Sequence, residues 1–380
     1  MVEEKLKLYL KTMVRNQGSD LHLKAGAVPR VRIDGMLKVL GKEALDAPML
    51  DAIAQTIMSQ EQYSKLNNDK SLDFTYIYSK EYRFRVNYFY QMEGLSAVFR
   101  LIPVKIATLE ELKLPKVVET FTQLQRGLVL ITGVTGSGKS TTLAALIDKI
   151  NDRDKKHIVC IEDPIEFIHK DKNCLINQRA IGQDTHSFSD ALRAALREDP
   201  DIILVGEMRD LETIDIALHA ANTGHLVFST AHTLDAKETI DRIVGMFSKE
   251  EQNRIRGSLA SVLEGVISQR LIPTTLGGRV AAVEILKKTA RIEQLIMEDR
   301  DHEIPEALFD GKEIYGTQTF DQALLDLFHE GRITEKVTME YATSPADMKL
   351  KIDGIGKGAL EQKNRDIGED DVFSFKETEE

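Results

Sequence analysis

The stretch GVTGSGKSTT, residues 133–142, decides the fold, because it matches the phosphate-loop pattern G-x-x-x-x-G-K-[ST]. The pattern residues are Gly133, Gly138, Lys139 and Ser140. The apolar run LVLIT (128–132) precedes the pattern, and a segment with helical spacing of apolar residues follows it. A chance match is expected in about one chain of this length in a hundred, and this strand–loop–helix context makes chance less common still. The sequence therefore predicts a site for ATP or GTP.

Each part of the loop has an expected role. Backbone N–H groups of residues 134–140 and the N-terminus of the following helix are expected to cradle the phosphates. Lys139 is expected to reach the β- and γ-phosphates, and the Ser140 hydroxyl to bind Mg²⁺. The residues predicted to bind the nucleotide here are Gly133, Val134, Thr135, Gly136, Ser137, Gly138, Lys139, Ser140, Thr141 and Thr142.

Beyond the loop, apolar runs alternate with stretches of helical spacing. The runs lie at 128–132, 157–162, 201–207, 225–230 and 279–286. Continuously apolar strands between amphipathic helices indicate an α/β fold whose sheet is parallel, at least in part, and covered on both faces. The segment 287–350 is predicted to be mostly helical.

The first hundred residues mix short strand-like runs with helical ones, which indicates a small α+β domain. Strands are predicted at 21–23, within 30–35, at 83–91 and at 95–102, with Asp34-Gly35 as a hairpin turn. The expected organisation is a domain over 1–102, a linker at 103–108, an ATPase domain over 109–353 and a tail over 354–380. Residues 361–380 carry eight acidic and three basic side chains, which predicts disorder.

Composition argues against several classes of protein. A net charge of −11 and a pI near 5.5 argue against general coating of nucleic acid, which needs clustered Lys and Arg. No apolar run reaches about 18 residues, so no transmembrane helix is expected. The two cysteines, Cys160 and Cys174, cannot form a four-cysteine zinc site. A cytosolic protein is therefore expected.

Hydrolysis also needs a carboxylate that orients water and a partner for the metal. Glu207 ends the run DIILVGE at the sheet edge that binds ligands, with Gly206 where an Asp is usual. Glu162 and Asp163 follow the run at 157–162 in the same way. A carboxylate at a strand end can also simply cap the next helix. The phosphate loop in the same sheet favours a catalytic role for Glu207, whereas for Glu162 both interpretations stay open.

Histidines and arginines give weaker signals. His225 and His232 flank the run HLVFST, as ordinary strand-end residues or as sensors of the γ-phosphate. Side-chain alternation puts Arg83 and Arg85 on one face of a strand. With Arg100 on the next strand, they form either a solvated basic face or a source of charge for the transition state at a triphosphate.

Five motifs together resemble the secretion ATPases, and more narrowly the PilT/PilU retraction motors of type IV pili. The motifs are GSDLHL (18–23), GVTGSGKSTT (133–142), HIVCIEDPIEFIH (157–169), DPDIILVGEMRDLETI (199–214) and TGHLVFSTAHT (223–233). The likeness covers residues 1–353. It implies a PAS-like N-terminal domain joined to a RecA-like ATPase domain, assembled as a hexameric ring that hydrolyses ATP with Mg²⁺ to power pilus retraction and twitching motility.

The resemblance also implies roles, residue by residue. The implied catalytic residues are Lys139, Glu162, Glu207, His232, Arg85 and Arg100. Ser140, Glu162 and Glu207 are the implied metal ligands, and Asp163 and His225 the further nucleotide-binding residues. The implied location is the cytoplasmic side of the inner membrane at the pilus base, with a platform protein and a paralogous retraction ATPase as partners and no nucleic acid.

Some positions depart from the family pattern. Val134 stands in place of Pro and Ala231 in place of Leu, and neither change removes a polar group. The stretch RIEQLIME (291–298) aligns with the signature A-I-R-N-L-I-R-E of the main motor, but Glu293 and Met297 replace its arginines. This difference and the later stretch GTQTFDQALLDLFHEGRI (316–333) both favour the accessory paralogue. The retained residues, expected on one helical face, are Ile292, Leu295, Ile296 and Glu298.

Two alternatives stay open. A hexameric nucleic-acid motor with a RecA-like fold would share the phosphate loop, although the acidic balance speaks against it. A nucleotide-dependent scaffold would bind ATP and hardly hydrolyse it, although Glu207 speaks against that.

Overall fold

The computed structural model describes residues 2–33, 35–79, 82–102 and 105–354. The strands of the first sheet are β1 (Asp20–Lys24), β2 (Arg30–Ile33), β3 (Met36–Val39), β4 (Ser71–Ile77), β5 (Arg83–Gln91) and β6 (Gly94–Ile102). They are antiparallel in the order β3-β2-β1-β6-β5-β4. The helices on this sheet are α1 (Val2–Arg15), α2 (Ala47–Ile57) and α3 (Gln60–Asp69).

Alternation along β5 sorts its side chains between the two faces of the first sheet. Phe84, Val86 and Tyr88 are buried in one core with residues of the helices, so Arg83 and Arg85 face the opposite side. The predicted strands are confirmed, and β2 and β3 pair as a hairpin, although Asp34 lies outside the described residues. The strand β4 was not predicted.

The second sheet is built around the predicted phosphate loop. Its strands are β7 (Gly127–Thr132), β8 (His157–Glu162), β9 (Leu175–Ala180), β10 (Ile202–Val205), β11 (Leu226–Ala231), β12 (Leu263–Pro273) and β13 (Arg279–Lys287). The order is β13-β12-β7-β11-β10-β8-β9, and each pair is parallel except β12–β13. The structure thus confirms a partly parallel sheet.

Helices follow most strands of this sheet and cover it. They are α4 (Lys116–Thr120), α5 (Lys139–Arg153), α6 (Phe188–Ala195), α7 (Leu211–Asn222), α8 (Ala236–Gly245), α9 (Lys249–Val262), α10 (Ala290–Met297), α11 (Ile304–Asp310), α12 (Lys312–Tyr315), α13 (Phe320–His329), α14 (Glu335–Tyr341) and α15 (Pro345–Ile352). Leu128 and Leu130 enter one core and Val129 and Ile131 the other. Both faces of the sheet are therefore buried, as the apolar runs predicted.

Two strands of the second sheet escaped prediction for identifiable reasons. The strand β12 begins at Leu263, directly after α9, so no turn residue separates a helix from a strand. The edge strand β9 reads LINQRA and is too polar to form an apolar run. Both strands pair with a neighbour that was predicted, and this pairing recruits them into the sheet.

Three further expectations can be compared with the structure. Ile292, Leu295 and Ile296 are buried on one face of α10, but Glu298 is exposed after its last turn, so its expected place on that face is wrong. Of the predicted linker and tail, residues 103–104 and 355–380 lie outside the described residues. Within the described ranges, no helix combines the length and apolar character needed to cross a membrane.

A substitution at Gly265 tests the packing of β12. A Cβ atom there would stand 2.2 Å from Cε1 of Phe121, which is fully buried. We expect Gly265→Ala to lower the free energy of unfolding by about 1–3 kcal/mol, measured by urea denaturation. The matched control is Gly257→Ala in α9, where nothing lies within 4 Å; it should raise that energy by about 0.5–1 kcal/mol. Equal changes in the free energy of unfolding for the two variants would contradict the close packing of Gly265 against Phe121.

Candidate nucleotide site

The phosphate loop joins the end of β7 to the start of α5, and glycines give it its shape. Gly133 has φ 140°, Gly136 φ 79° and Gly138 φ 93°, all in the left-handed region that favours glycine. At position 133 a Cβ atom would also lie 2.5 Å from the carbonyl oxygen of Gln269 on β12. Backbone shape and close packing therefore both require Gly133.

Lys139 is the first residue of α5, and its side chain folds back over the loop. Its Nζ donates hydrogen bonds to the carbonyl oxygens of Gly133 (2.7 Å) and Val134 (3.1 Å). Burial lowers the pKa of Lys139, although the charges of Glu207 and Glu166 act in the opposite direction. The ammonium group is therefore held beside the loop, where it can reach the phosphates.

Two cavities border the loop. The loop cavity, of about 650 Å³, is lined by Thr135, Gly136, Gly138, Lys139, Ser140 and Thr141. The hairpin cavity, of about 590 Å³, extends from Ser137, Gly138, Thr141 and Thr142 to the turn between β12 and β13. Gly133 and Val134 line neither cavity. Gly133 packs against the backbone of Gln269, and Val134 is exposed on the surface of the loop.

The predicted carboxylates meet in the loop cavity, because the parallel strands β8 and β10 end at the same sheet edge. Glu162 is the last residue of β8, and Asp163 follows it on the cavity wall. Glu207 stands two residues after β10. Its Oε2 is 2.7 Å from Nη2 of Arg209 and 3.5 Å from Nε2 of His232.

Glu162 and Glu207 have opposite pKa shifts. Burial raises the pKa of Glu162 to about 7, outweighing the hydrogen bonds from the Glu166 N–H and from Gln178. Burial also acts to raise the pKa of Glu207, but the hydrogen bond from Arg209 and the neighbouring cationic groups lower it overall. Near neutral pH, Glu207 is therefore a carboxylate, and Glu162 is close to its midpoint.

Arg85 and Arg100 reach the loop cavity from the first sheet. They are direct partners across the β5–β6 pair, and both line the cavity wall. Nε of Arg100 donates to Oδ1 of Asp20 at 2.7 Å, and Nε of Arg85 is 3.9 Å from Oδ1 of Asp73. These pairs orient the arginines without neutralising them fully, since both side chains are substantially exposed.

The two predicted histidines, His225 and His232, lie at opposite ends of β11. His232 follows the end of β11 and lines the loop cavity. His225 precedes the start of β11 and so lies at the other end of this strand. At about 3.3 Å per residue, roughly 20 Å separate the two histidines. Nδ1 of His225 lies 3.0 Å from the carbonyl oxygen of Ala220. His225 therefore lines neither cavity of this chain, and its expected contact with nucleotide stays a prediction.

Three charged residues of the loop cavity were not singled out from the sequence. Arg209 lies in the same GEMRD stretch as Glu207, a nearness that could have drawn attention to it. Arg279 begins β13 and lines both cavities. Glu166 also lines the loop cavity. Glu166 lies four residues after Glu162 in the motif HIVCIEDPIEFIH, whereas Arg279 reaches the site only through the fold.

The donor set suits Mg²⁺ bound mainly through phosphate oxygens. The described ranges contain no group of three or more His, Cys, Asp or Glu side chains that could hold a metal. Ser140 offers a hydroxyl, and Glu162 and Glu207 offer carboxylates in the same cavity. Mg²⁺ in phosphate-transfer sites commonly takes one or two protein oxygens, with phosphate and water as its other ligands, so these residues fit.

Comparison with known proteins gives a consistent family. The family described as Type II/IV secretion system protein matches residues 1–325. The Type IV pilus retractation ATPase PilT of Pseudomonas aeruginosa is 49% identical over 327 residues, covering 86% of this chain and 95% of that protein. The Type IV pilus ATPase PilU of the same organism is 38% identical over 344 residues, covering 90% of each.

A solved structure agrees with the sequence relatives. The pilus retraction motor PilT with bound ADP superposes with a TM-score of 0.83 at 44% identity, covering 89% of this chain and 97% of that one.

The raised pKa of Glu162 makes stability depend on pH. Near the ordinary value of 4.5 and below, folded and unfolded chains both hold the proton. In the folded chain the protonated Glu162 is favoured up to a pH of about 7. As the pH rises through this value the carboxyl must ionise where it is, and the stability that the protonated form contributes is lost. Relative to Glu162→Gln, the free energy of unfolding of the wild type should fall by about 1–3 kcal/mol between pH ~5 and ~8.5. Denaturant titrations of both proteins at each pH measure this free energy. A difference between wild type and Glu162→Gln that stays constant with pH would contradict the raised pKa of Glu162.

Proposed function

The chain belongs to the type II/IV secretion system protein family, and we propose that it is the ATP-driven motor of type IV pilus retraction. It is an ATPase of the kind represented by PilT. The observation that carries the proposal is the joint lining of the loop cavity by Lys139, Glu207 and Arg100. A loop cation, a carboxylate and an arginine from the first sheet are the parts that phosphoryl transfer requires.

Glu207 is the best placed group to act on the attacking water. Its lowered pKa keeps it ionised, so it can orient the water and accept its proton as the oxygen bonds to the γ-phosphorus and the bond to the β-phosphate oxygen breaks. Mg²⁺, when bound, would supply positive charge to the phosphates. Lys139 stabilises the charge that develops on the β- and γ-phosphate oxygens. Glu162 and Asp163 line the same cavity as second candidates.

Arg209 and His232 adjust Glu207 rather than replace it. Both contact its Oε2, so they hold the carboxylate in one position while they keep its pKa low. Glu207 becomes a stronger base when its hydrogen bond with Arg209 is broken, because that bond lowers its pKa. A γ-phosphate is the natural alternative partner for that guanidinium, because Arg binds phosphate through its planar fork of donors.

Arg85 and Arg100 connect the chemistry to movement. They are carried by the first sheet, whereas the phosphate loop belongs to the second. Transition-state charge at the γ-phosphate then attracts the first sheet towards the second, and release of phosphate removes that attraction. A cycle of this kind turns hydrolysis into displacement, which is what a motor requires.

The hairpin cavity continues from the loop and suits the base of ATP. Leu112, Leu114, Leu276 and Val280 give it apolar walls, and Arg279 lies at its rim with the loop cavity. Sites for nucleosides are mostly apolar with a few polar groups that set orientation. The triphosphate then lies in the loop cavity and the base in the hairpin cavity.

The wider assembly is also part of the proposal. We expect six chains in a ring on the cytoplasmic side of the inner membrane, with a platform protein of the pilus machine and a paralogous ATPase as partners. The identity to the retraction motors supports this arrangement. The helicase-like and scaffold alternatives have no counterpart among the pilus ATPases reported above.

The chain is better assigned to the main motor than to the accessory paralogue. The segment from Arg291 to Glu298 favours the accessory type. However, identity is 49% to PilT and 38% to PilU over similar lengths. A comparison over more than 300 residues outweighs the two short stretches at 291–298 and 316–333.

A substitution of Glu207 tests the catalytic assignment. Glu207→Gln keeps the shape of the side chain but removes its charge and basicity. We expect ATP binding to persist and phosphate release to fall by a factor of about 10²–10⁴. Cells carrying the variant should extend pili and fail to retract them, as fluorescence microscopy of labelled pili measures.

The matched control is Glu212→Gln. Glu212 is an exposed carboxylate in the first turn of α7 and pairs with Arg193 outside the loop cavity. Hydrolysis and retraction should remain normal. If Glu207→Gln also turned over ATP at a near-normal rate, the catalytic role would belong to Glu162.

Deletion of this gene alone distinguishes main from accessory motor. With a second retraction ATPase still expressed, loss of this chain should leave cells piliated while retraction events nearly vanish. Retraction frequency and force, measured by optical tweezers, give the answer. Frequent retraction at reduced force would instead assign the accessory role.

A further inference from the structure

We propose that Glu284 on β13 positions His232 beside Glu207 by accepting a hydrogen bond from the first N–H group of α8. The inference rests on the proposed function, because it takes ATP as the substrate and Glu207 as the group that acts on the attacking water. Glu284 lines neither cavity beside the phosphate loop. It is therefore a positioning residue, which acts through His232 and does not touch the nucleotide.

Glu284 is a carboxyl group enclosed between β13 and α8. The residue is 7% exposed, and its Oε1 accepts a hydrogen bond from the N–H of Ala236 at 2.8 Å. Ala236 is the first residue of α8 and fully buried, so neither the helix nor bulk water offers its N–H another acceptor. Burial raises the pKa of Glu284 to about 7. A buried carboxyl group is costly, which points to a task for this hydrogen bond.

The register of the second sheet places Glu284 in line with the start of the His232 segment, which consists of residues 232–235. One row of paired residues crosses β11, β7, β12 and β13, and its members are Ala231, Thr132, Ser268 and Glu284. His232 follows the first member of this row, and Ala236 contacts the last. The His232 segment is therefore anchored to the sheet at both of its ends.

The His232 segment and α8 are joined as one unit by hydrogen bonds between them. Nη1 of Arg242 lies 3.4 Å from the carbonyl oxygen of His232, the N–H of Leu234 donates to Oε2 of Glu238 at 2.7 Å, and the hydroxyls of Thr233 and Thr239 share a hydrogen bond of 2.6 Å. These contacts lie within the unit, whereas the hydrogen bond to Glu284 ties the unit to the sheet. A shift of the start of α8 therefore moves His232 as well.

The contact between His232 and Glu207 leaves little margin for such a shift. Nε2 of His232 stands 3.5 Å from Oε2 of Glu207, at the outer limit of a hydrogen bond. A misplacement of about 1 Å in a catalytic site can cost on the order of 10²-fold in rate. The residues that line the phosphate loop lie outside this unit, so nucleotide binding does not depend on its position.

Glu284→Leu tests the inference through the kinetics of phosphate release by the full chain. The apolar side chain leaves the N–H of Ala236 without an acceptor. We expect kcat to fall on the order of tenfold while KM for ATP stays within about twofold, because Lys139 and the phosphate loop keep their places. Glu284→Gln retains an acceptor oxygen, so its kcat should stay within about twofold of the wild-type value.

Two further variants locate the effect. Ala236→Pro removes the donor instead of the acceptor, at a first helical position that suits proline and after Asp235, whose backbone is already extended. It should lower kcat in the same way, so the conclusion does not depend on how leucine packs at position 284. In a His232→Ala background, Glu284→Leu should lower kcat no further, because the group that Glu284 positions is then gone.

The matched control is Thr289→Ala at the start of α10. Oγ1 of Thr289 accepts the N–H of Ile292 at 3.2 Å, and Thr289 lines neither cavity. This variant should lower the melting temperature and leave kcat unchanged. If Glu284→Leu and Ala236→Pro behaved in the same way, Glu284 would only stabilise α8, and the inference would be wrong.

Other results would also overturn the inference. These are a rise in KM without a fall in kcat, an undiminished effect of Glu284→Leu in the His232→Ala background, and a loss of turnover in Glu284→Gln as large as that in Glu284→Leu. Each of them is measured against an active wild type. A wild type that does not hydrolyse ATP would instead reject the proposed function, and the inference with it.

Discussion

The parallel pairing of β7 with β11 on one side and β12 on the other is the constraint on which the site depends. Six residue pairs join β7 to β11, and five join it to β12. These ladders hold the end of β7 in place where the chain leaves the sheet. The loop that follows can then turn sharply through three glycines in left-handed conformations, which glycine adopts without steric cost.

The same pairing explains the electrostatics of the loop cavity. Parallel strands bring their carboxyl ends to one edge, so Glu162 and Glu207 share a cavity although 45 positions separate them in the chain. Their environments then differ: Arg209 and His232 contact Glu207, whereas Glu162 accepts hydrogen bonds from the Gln178 amide and the Glu166 N–H. Near neutral pH one carboxylate is therefore ionised and the other is close to its midpoint.

The first sheet adds two arginines to the loop cavity, which the second sheet and its helices line on the other sides. Arg85 and Arg100 are adjacent across a strand pair, so they arrive together, and Asp20 holds Arg100 in position. Catalysis that needs groups from two sheets depends on how those sheets stand to each other. This dependence is the physical basis that we propose for the coupling of hydrolysis to movement.

The sequence alone determined the parts of this protein that local patterns encode. The phosphate loop, the apolar strands β7, β8, β10 and β11 and the β5–β6 hairpin follow from residue spacing, because glycine conformation and side-chain alternation are local properties. Only the tertiary structure decided which residues meet. It brought Arg279 and Gln269 to the cavities beside the phosphate loop from strands far along the chain, and it placed His225 at the opposite end of β11 although His232 is seven residues away. Strand order and direction set these distances, and both arise from pairing between segments that are remote in sequence.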